Sequence, residues 1–202
     1  MTYIEDWQRA LGLVADGNFG PKTLAASMAL LPATPAPMAT EDPPWVVEMK
    51  KVYGWHETRD NARLRAWLKS DGKTLGDPDA LPWCGDAVET AIKLALPDEP
   101  FVGALAENPY YARNWATFGR SAIGYGCIGV FSRGPTSGHV GFLVGEDDTC
   151  LHVLGGNQGD SVSVTRVEKW RMLATRWPLT YDKTPAPLPR KTSRLPVSVN
   201  EV

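Results

Sequence analysis

The sequence predicts an α+β protein in which helices from the first half of the main domain pack on an antiparallel sheet built by the second half. Three observations carry this. Between residues 45 and 118, apolar side chains recur at helical spacing. From residue 127 onward they fall in short β-branched and aromatic runs separated by turn residues. The period changes once, without the strand–helix alternation of a parallel sheet.

The elements follow in order. Trp45 to Tyr53 carries Val46, Val47, Met49 and Val52 at helical spacing. Asp60 or Asn61 caps a second helix with Leu64, Trp67 and Leu68 on one side. Cys84 to Leu96 carries the stripe Ala87, Val88, Ala91, Ile92 and Ala95, and Pro97 ends it. Asn108-Pro109 reads as a cap followed by a first-turn proline, leading to Ala112, Trp115 and Phe118 with Gly119 as the stop. Strands are expected over Cys127–Phe131, His139–Val144, Cys150–Leu154 and Ser161–Val167, with a last one near Leu173–Trp177.

The main domain is therefore placed at 45–181, with appendages on both sides. Residues 1–31 form a small helical segment: Ile4, Trp7 and Leu11 share a face, Asp16-Gly17 turns the chain, and Pro21 opens a second helix. So short a piece buries little surface by itself and is expected to dock on the main domain. Residues 32–44 form a Pro/Ala linker. Residues 182–202 form a basic tail with Pro185, Pro187, Pro189 and Pro196, expected to be disordered or laid on a partner.

Composition narrows the function. A net charge of -2 supplies no general attraction to nucleic acid or anionic lipid. No apolar run is long enough to span a bilayer, so membrane insertion is not expected. The start, Met1 to Asp6, lacks the basic and apolar regions of a secretory signal, so the chain is expected to be made in the cytoplasm. Cys84, Cys127 and Cys150 form neither a C-x-x-C pair nor an even set. No disulfide framework, metal site or organic cofactor is expected, and the chain is expected to be a monomer.

The chemistry-bearing stretches are Pro82-Trp83-Cys84-Gly85-Asp86 and Ser137-Gly138-His139-Val140-Gly141-Phe142. A cysteine at a helix start gains from the helix dipole, and an adjacent imidazole favours its thiolate. Cys84 is thus the candidate nucleophile and His139 the candidate base. Gly85 gives room for a substrate carbonyl, and the Cys84 amide suits an oxyanion hole. Gly138 leaves space beside the ring, and Trp83 is a candidate groove residue, with Trp55 and Trp115 as others. The third group, which orients the imidazole, is expected to be Asn157 in Leu154-Gly155-Gly156-Asn157-Gln158-Gly159-Asp160. Gln158 and Asp160 are its rivals, and Gln158 is also a candidate substrate contact. The same stretch reads equally as a tight hairpin turn. His56 and His152 are weaker candidates, His152 reading as core.

Two resemblances follow. Gln8, Leu11, Gly12, Leu13, Asp16, Gly17, Phe19, Gly20 and Thr23 resemble about half of a three-helix peptidoglycan-binding domain. The main domain resembles the CHAP and NlpC/P60 group of peptidoglycan-cleaving cysteine amidases and endopeptidases. The features that carry this are Glu57 with Asn61, Pro82-Trp83-Cys84, Gly138 to Phe142, Leu154 to Gln158, and Arg176-Trp177-Pro178. Gly155, where many CHAP members have a glutamate, and Cys84-Gly85-Asp86 depart from the pattern. The resemblance implies a papain-like fold, with Cys84 as nucleophile, His139 as base and Asn157 as orienter. It implies a cell-wall hydrolase of the phage endolysin type, acting on peptidoglycan after release through a holin, or from a virion. The alternatives are a non-catalytic virion or wall-binding protein on the same fold, and an acyltransferase or transamidase sharing the acyl-enzyme.

Overall fold

A computed structural model describes residues 3–29, 41–192 and 197–198. The chain divides into two compact units, 1–39 and 40–202. The linker and the last part of the tail fall largely outside the described residues.

In the first unit, α1 (Tyr3–Ala10) and α2 (Pro21–Ala29) flank a turn organised by one buried amide. Gln8 Nε2 donates to Asp16 Oδ1 (2.6 Å), Asn18 O (2.9 Å) and Thr23 Oγ1 (3.1 Å), and its Oε1 accepts from Gly17 N (2.9 Å). With so little apolar surface to bury, this turn is held by polar bonds. Val14, Phe19 and Leu24 remain exposed.

The second unit is α+β. Helix α3 (Pro44–Lys51) begins with a first-turn proline, and α4 (Asn61–Leu68) follows Asp60. Asp60 does not cap α4 with its side chain; its carboxylate accepts from His56 N and pairs with Arg59 and Arg63. Helix α5 (Cys84–Ala95) is buried from Cys84 through Ile92. Such a helix is covered all round, and only its apolar stripe was evident beforehand. The short helix α6 (Ala104–Glu107) precedes the segment expected to be a capped helix at Asn108. That segment is instead an Asx turn, with Asn108 Oδ1 accepting from Tyr110 N and Tyr111 N, followed by a 3₁₀ helix at Ala112–Thr117.

The strands are β1 (Arg120–Ser121), β2 (Ile128–Ser132), β3 (Gly138–Glu146), β4 (Cys150–Gly155), β5 (Ser163–Glu168) and β6 (Met172–Trp177). They form one sheet in the order β1-β6-β2-β3-β4-β5. Strands β2 to β5 are an antiparallel meander, and β6 crosses back to pair with β2. Helix α5 packs against β3, and α3 packs against α5. Gly119 ends the 3₁₀ region at φ +46, where a Cβ would overlap the Trp177 carbonyl. Trp45 meets Trp177 and Tyr181 edge-on, each at 4.9 Å between ring centroids. None of the described helices is long and apolar enough to cross a membrane.

The described part of the tail is ordered against the domain, contrary to expectation. Tyr125 N donates to Ala186 O (2.7 Å), Glu146 N to Pro189 O (3.0 Å) and Lys191 N to Glu146 O (2.8 Å). Ser198 N donates to Arg166 O (2.8 Å), at the outer edge of β5. Proline removes donors but leaves carbonyls, and the sheet end at Glu146 supplies the complementary amide.

Candidate active site

Cys84 opens α5 on the flank of β3. The backbone at Val140, the charge of Arg133 and the backbone at Gly85 and Cys84 act on its thiol. Each of these favours the thiolate. Burial outweighs them and pushes the thiol up, for Cys84 is only 3% exposed. Val140 directly follows His139, and α5 packs against the strand that carries the ring.

The His139 ring is fully buried, and its orientation is set by Gln158. Gln158 Nε2 donates to Ser163 O (2.6 Å), Val153 O (3.2 Å) and Gly155 O (3.2 Å). Three carbonyls fix which end of the amide is nitrogen. Gln158 Oε1 accepts from Thr165 Oγ1 (2.8 Å) and lies 2.9 Å from His139 Nε2. An amide oxygen only accepts, so Nε2 carries the proton and the neutral ring keeps its lone pair on Nδ1.

Of the candidates for the third residue, Gln158 bonds the ring, and Asn157 sits in the turn at φ 55. Asp160 also sits at positive φ, and its carbonyl accepts from Glu57 N (2.8 Å).

Trp83 ties the helix start to that turn. Its indole Nε1 donates to Glu57 Oε2 (2.8 Å), and its ring covers Gly156, where any Cβ would overlap it. Glu57, Trp83, Gly156 and Gln158 thus hold the Cys84 helix end and the His139 partner in one register. Trp83 is 1% exposed, and Trp115 is equally buried, with its indole donating to Pro109 O (2.7 Å). Both expected groove tryptophans are core residues. Trp55 is half-buried under the Arg63 guanidinium. His152 is buried as expected and bonds Asp147 (3.0 Å).

Gly85 and Gly138 serve a purpose other than substrate access. A Cβ on Gly85 would lie 2.8 Å from Pro109 O and closer still to Tyr110 O. A Cβ on Gly138 would lie 3.0 Å from Arg113 Cγ. The strap 109–113 therefore crosses the neighbours of both Cys84 and His139. Arg113 and Tyr111 fasten it to the β2–β3 turn through Ser137 O, Gly134 O, Ser132 Oγ and Thr136 O.

A second cluster lies on α5. Asp86 Oδ2 accepts from Leu75 N (2.9 Å) and Thr74 Oγ1 (3.0 Å). Burial pushes Asp86 up to about 6, and burial with the charges of Asp71 and Asp86 pushes Glu89 up to about 7. Tyr110, on the strap, is raised to about 12 by burial and then by these carboxylates. Among the described residues, no group of His, Cys, Asp and Glu is arranged to hold a metal ion.

Sequence reasoning missed Arg133, Arg113 and Tyr111. A Ser-Arg-Gly-Pro turn directly before the candidate base was the signal available. No family model, curated protein or solved structure matches the chain.

Proposed function

We propose that this chain is a papain-like cysteine hydrolase of the CHAP and NlpC/P60 kind, cleaving an amide bond in the peptide part of peptidoglycan. One observation carries the reading: the helix that a cysteine opens packs against the strand of a histidine whose tautomer is set by a buried glutamine. The antiparallel sheet against the cysteine helix supports it, as does the resemblance of the first unit's residues to a peptidoglycan-binding domain.

In the proposed reaction, His139 Nδ1 takes the Cys84 proton and Sγ attacks the amide carbonyl. The first-turn amides of α5 stabilise the developing oxyanion. The imidazolium donates its proton to the leaving amine, and the C–N bond breaks to leave a thioester. Water, deprotonated by His139, then releases the acid and restores the thiol. Gln158 accepts from Nε2 throughout and steadies the cation without itself ionising. In this reading the chain reaches the wall through a holin-type lesion or from a virion.

The burial of Cys84 and His139 favours a second reading, a wall-binding protein on the same scaffold with a silent thiol. Digestion of purified peptidoglycan separates the two. Wild type should release fragments with new amino groups, and Cys84→Ala should release none. Mass spectra showing intact stem peptides freed from muramic acid would identify an amidase, and cleaved stems or bridges an endopeptidase. No release by wild type, with pelleting on the wall intact, would establish the binding reading.

A further inference from the structure

Cys84 and His139 are both buried, yet a nucleophile and a base that act on a polymer must meet it. The strap 109–113 lies over a neighbour of each. Its Pro109 and Tyr110 carbonyls occupy the place of a Cβ on Gly85, directly after the cysteine. A Cβ on Gly138, directly before the histidine, would lie 3.0 Å from Arg113 Cγ and 3.6 Å from Ala112 Cβ. The 3₁₀ helix that begins at Ala112 packs on β2 and β3.

The strap is built as a unit. Asn114 Nδ2 donates to Ala104 O (3.0 Å) and Asn108 O (2.9 Å), which draws its two ends together. Trp115 Nε1 donates to Pro109 O, and Asn108 Oδ1 accepts from Tyr110 N (3.1 Å) and Tyr111 N (3.2 Å). Leu105 and Trp115 anchor the flanks in the core. A short loop with closed ends and its own internal bonds keeps its shape when it moves. Its fastening to the sheet is of another kind. The Tyr111 hydroxyl donates to Thr136 O, and Arg113 donates from Nε to Ser137 O (2.9 Å) and from Nη2 to Gly134 O and Ser132 Oγ (3.3 Å). These bonds run from two side chains to one turn, and Tyr111 is 41% exposed. Bonds that water can replace add little each, so the fastening is one that can be released.

We propose that the strap 109–113 is a lid, closed in this structure over the Cys84 and His139 site, and that Tyr111 and Arg113 are its latch on the β2–β3 turn. This rests on the hydrolase reading above and adds the regulation of its site. Closed, the lid fills the ground beside Gly85 and Gly138. Open, it leaves both glycines bare, and a substrate carbonyl can approach the first turn of α5. The observed reactivity of Cys84 is then its intrinsic reactivity multiplied by the fraction of open lid. Weakening the latch raises that fraction without touching the cysteine or the histidine.

The test alkylates the full-length protein with iodoacetamide under native conditions and follows each cysteine by peptide mapping. Cys127, just before β2, and Cys150, at the start of β4, are buried too and gauge general unfolding. Wild-type Cys84 should react far more slowly than in the urea-unfolded chain. Tyr111→Phe and Arg113→Ala should each raise the Cys84 rate about twofold to tenfold, and the double variant about tenfold to a hundredfold, with Cys127 and Cys150 unchanged. Tyr111→Phe removes one hydroxyl and no charge, so it keeps the test decisive where Arg113→Ala fails to fold. On wall peptides the latch variants should lower KM by a similar factor, with kcat within about twofold. Wild-type Cys84 as reactive as in the unfolded chain would overturn the proposal. So would latch variants that leave its rate unchanged, or that raise all three cysteines together. Faster alkylation of Cys84 with no cleavage by any variant would sink the hydrolase reading alone. Cleavage by wild type, with alkylation unaltered in the latch variants, would sink the lid alone.

Discussion

Replacing Glu89 by glutamine should stabilise this protein at alkaline pH and leave it unchanged in acid. Glu89 is buried on α5, where Asp71 and Asp86 repel its charge and Lys73 and Lys93 attract it. Tyr110 on the strap faces the same group. Its carboxyl is pushed from 4.5 up to about 7. An acid that binds its proton more tightly folded than unfolded stabilises the fold below its unfolded value, and loses that contribution as pH rises through its folded value. The loss therefore accumulates between 4.5 and about 7 and is complete above. At about 1.4 kcal/mol for each tenfold change in proton affinity, the ceiling is roughly 3 kcal/mol. Sharing of charge among three carboxyls and the reach of solvent bring this down to about 1–2 kcal/mol. Glutamine keeps the shape and removes the ionisation. Urea unfolding should show the variant more stable by about 1–2 kcal/mol near pH 8, converging with wild type near pH 4. A variant no more stable near pH 8, or a difference that does not change with pH, would refute the reasoning.

Other expectations concern the site itself. Gln158→Leu should lower kcat about a hundredfold, because the ring loses both its orienting acceptor and its fixed tautomer, whereas Asn157→Gly should keep most of the activity. The reverse ranking in a steady-state assay would restore Asn157 as the orienter. Gly85→Ala should cost about 1–3 kcal/mol in urea unfolding, since the new methyl overlaps the carbonyls of Pro109 and Tyr110. An unperturbed midpoint would mean that the strap moves aside freely. Trp83→Phe should cost about 1–2 kcal/mol, as Glu57 loses its indole donor while the ring stays over Gly156. Glu57→Gln, which retains an acceptor, should cost less in the same measurement.

Much of this architecture was legible because it rests on local pattern. The helix opening at Cys84, the strand opening at His139 and the halt at Gly119 each follow from periodicity or from one special residue. What was hidden depends on contacts distant in sequence. Asn157 and Gln158 are neighbours of similar chemistry, and only the folded chain shows that Gln158 meets the ring. Gly85 and Gly138 read as openings for substrate because the strap that fills them comes from residues 109–113. The tail reads as disordered from its prolines, and its docking depends on an amide at Glu146 that no local rule points to. The return of β6 to β2 was equally invisible, since a strand's partner is not written in its own residues. Trp170 was one of 8 tryptophans in the sequence, and only the folded chain separates it from those of the core.

The central claim is a thioester on one sulfur atom. Brief incubation of the full chain with soluble wall peptides, an acid quench and peptide mapping by mass spectrometry reads it directly. The account predicts an acyl adduct on the peptide containing Cys84, accumulating in wild type and absent from Cys84→Ala. Cleaved wall peptides with no adduct on Cys84, and undiminished cleavage by the alanine variant, would contradict it.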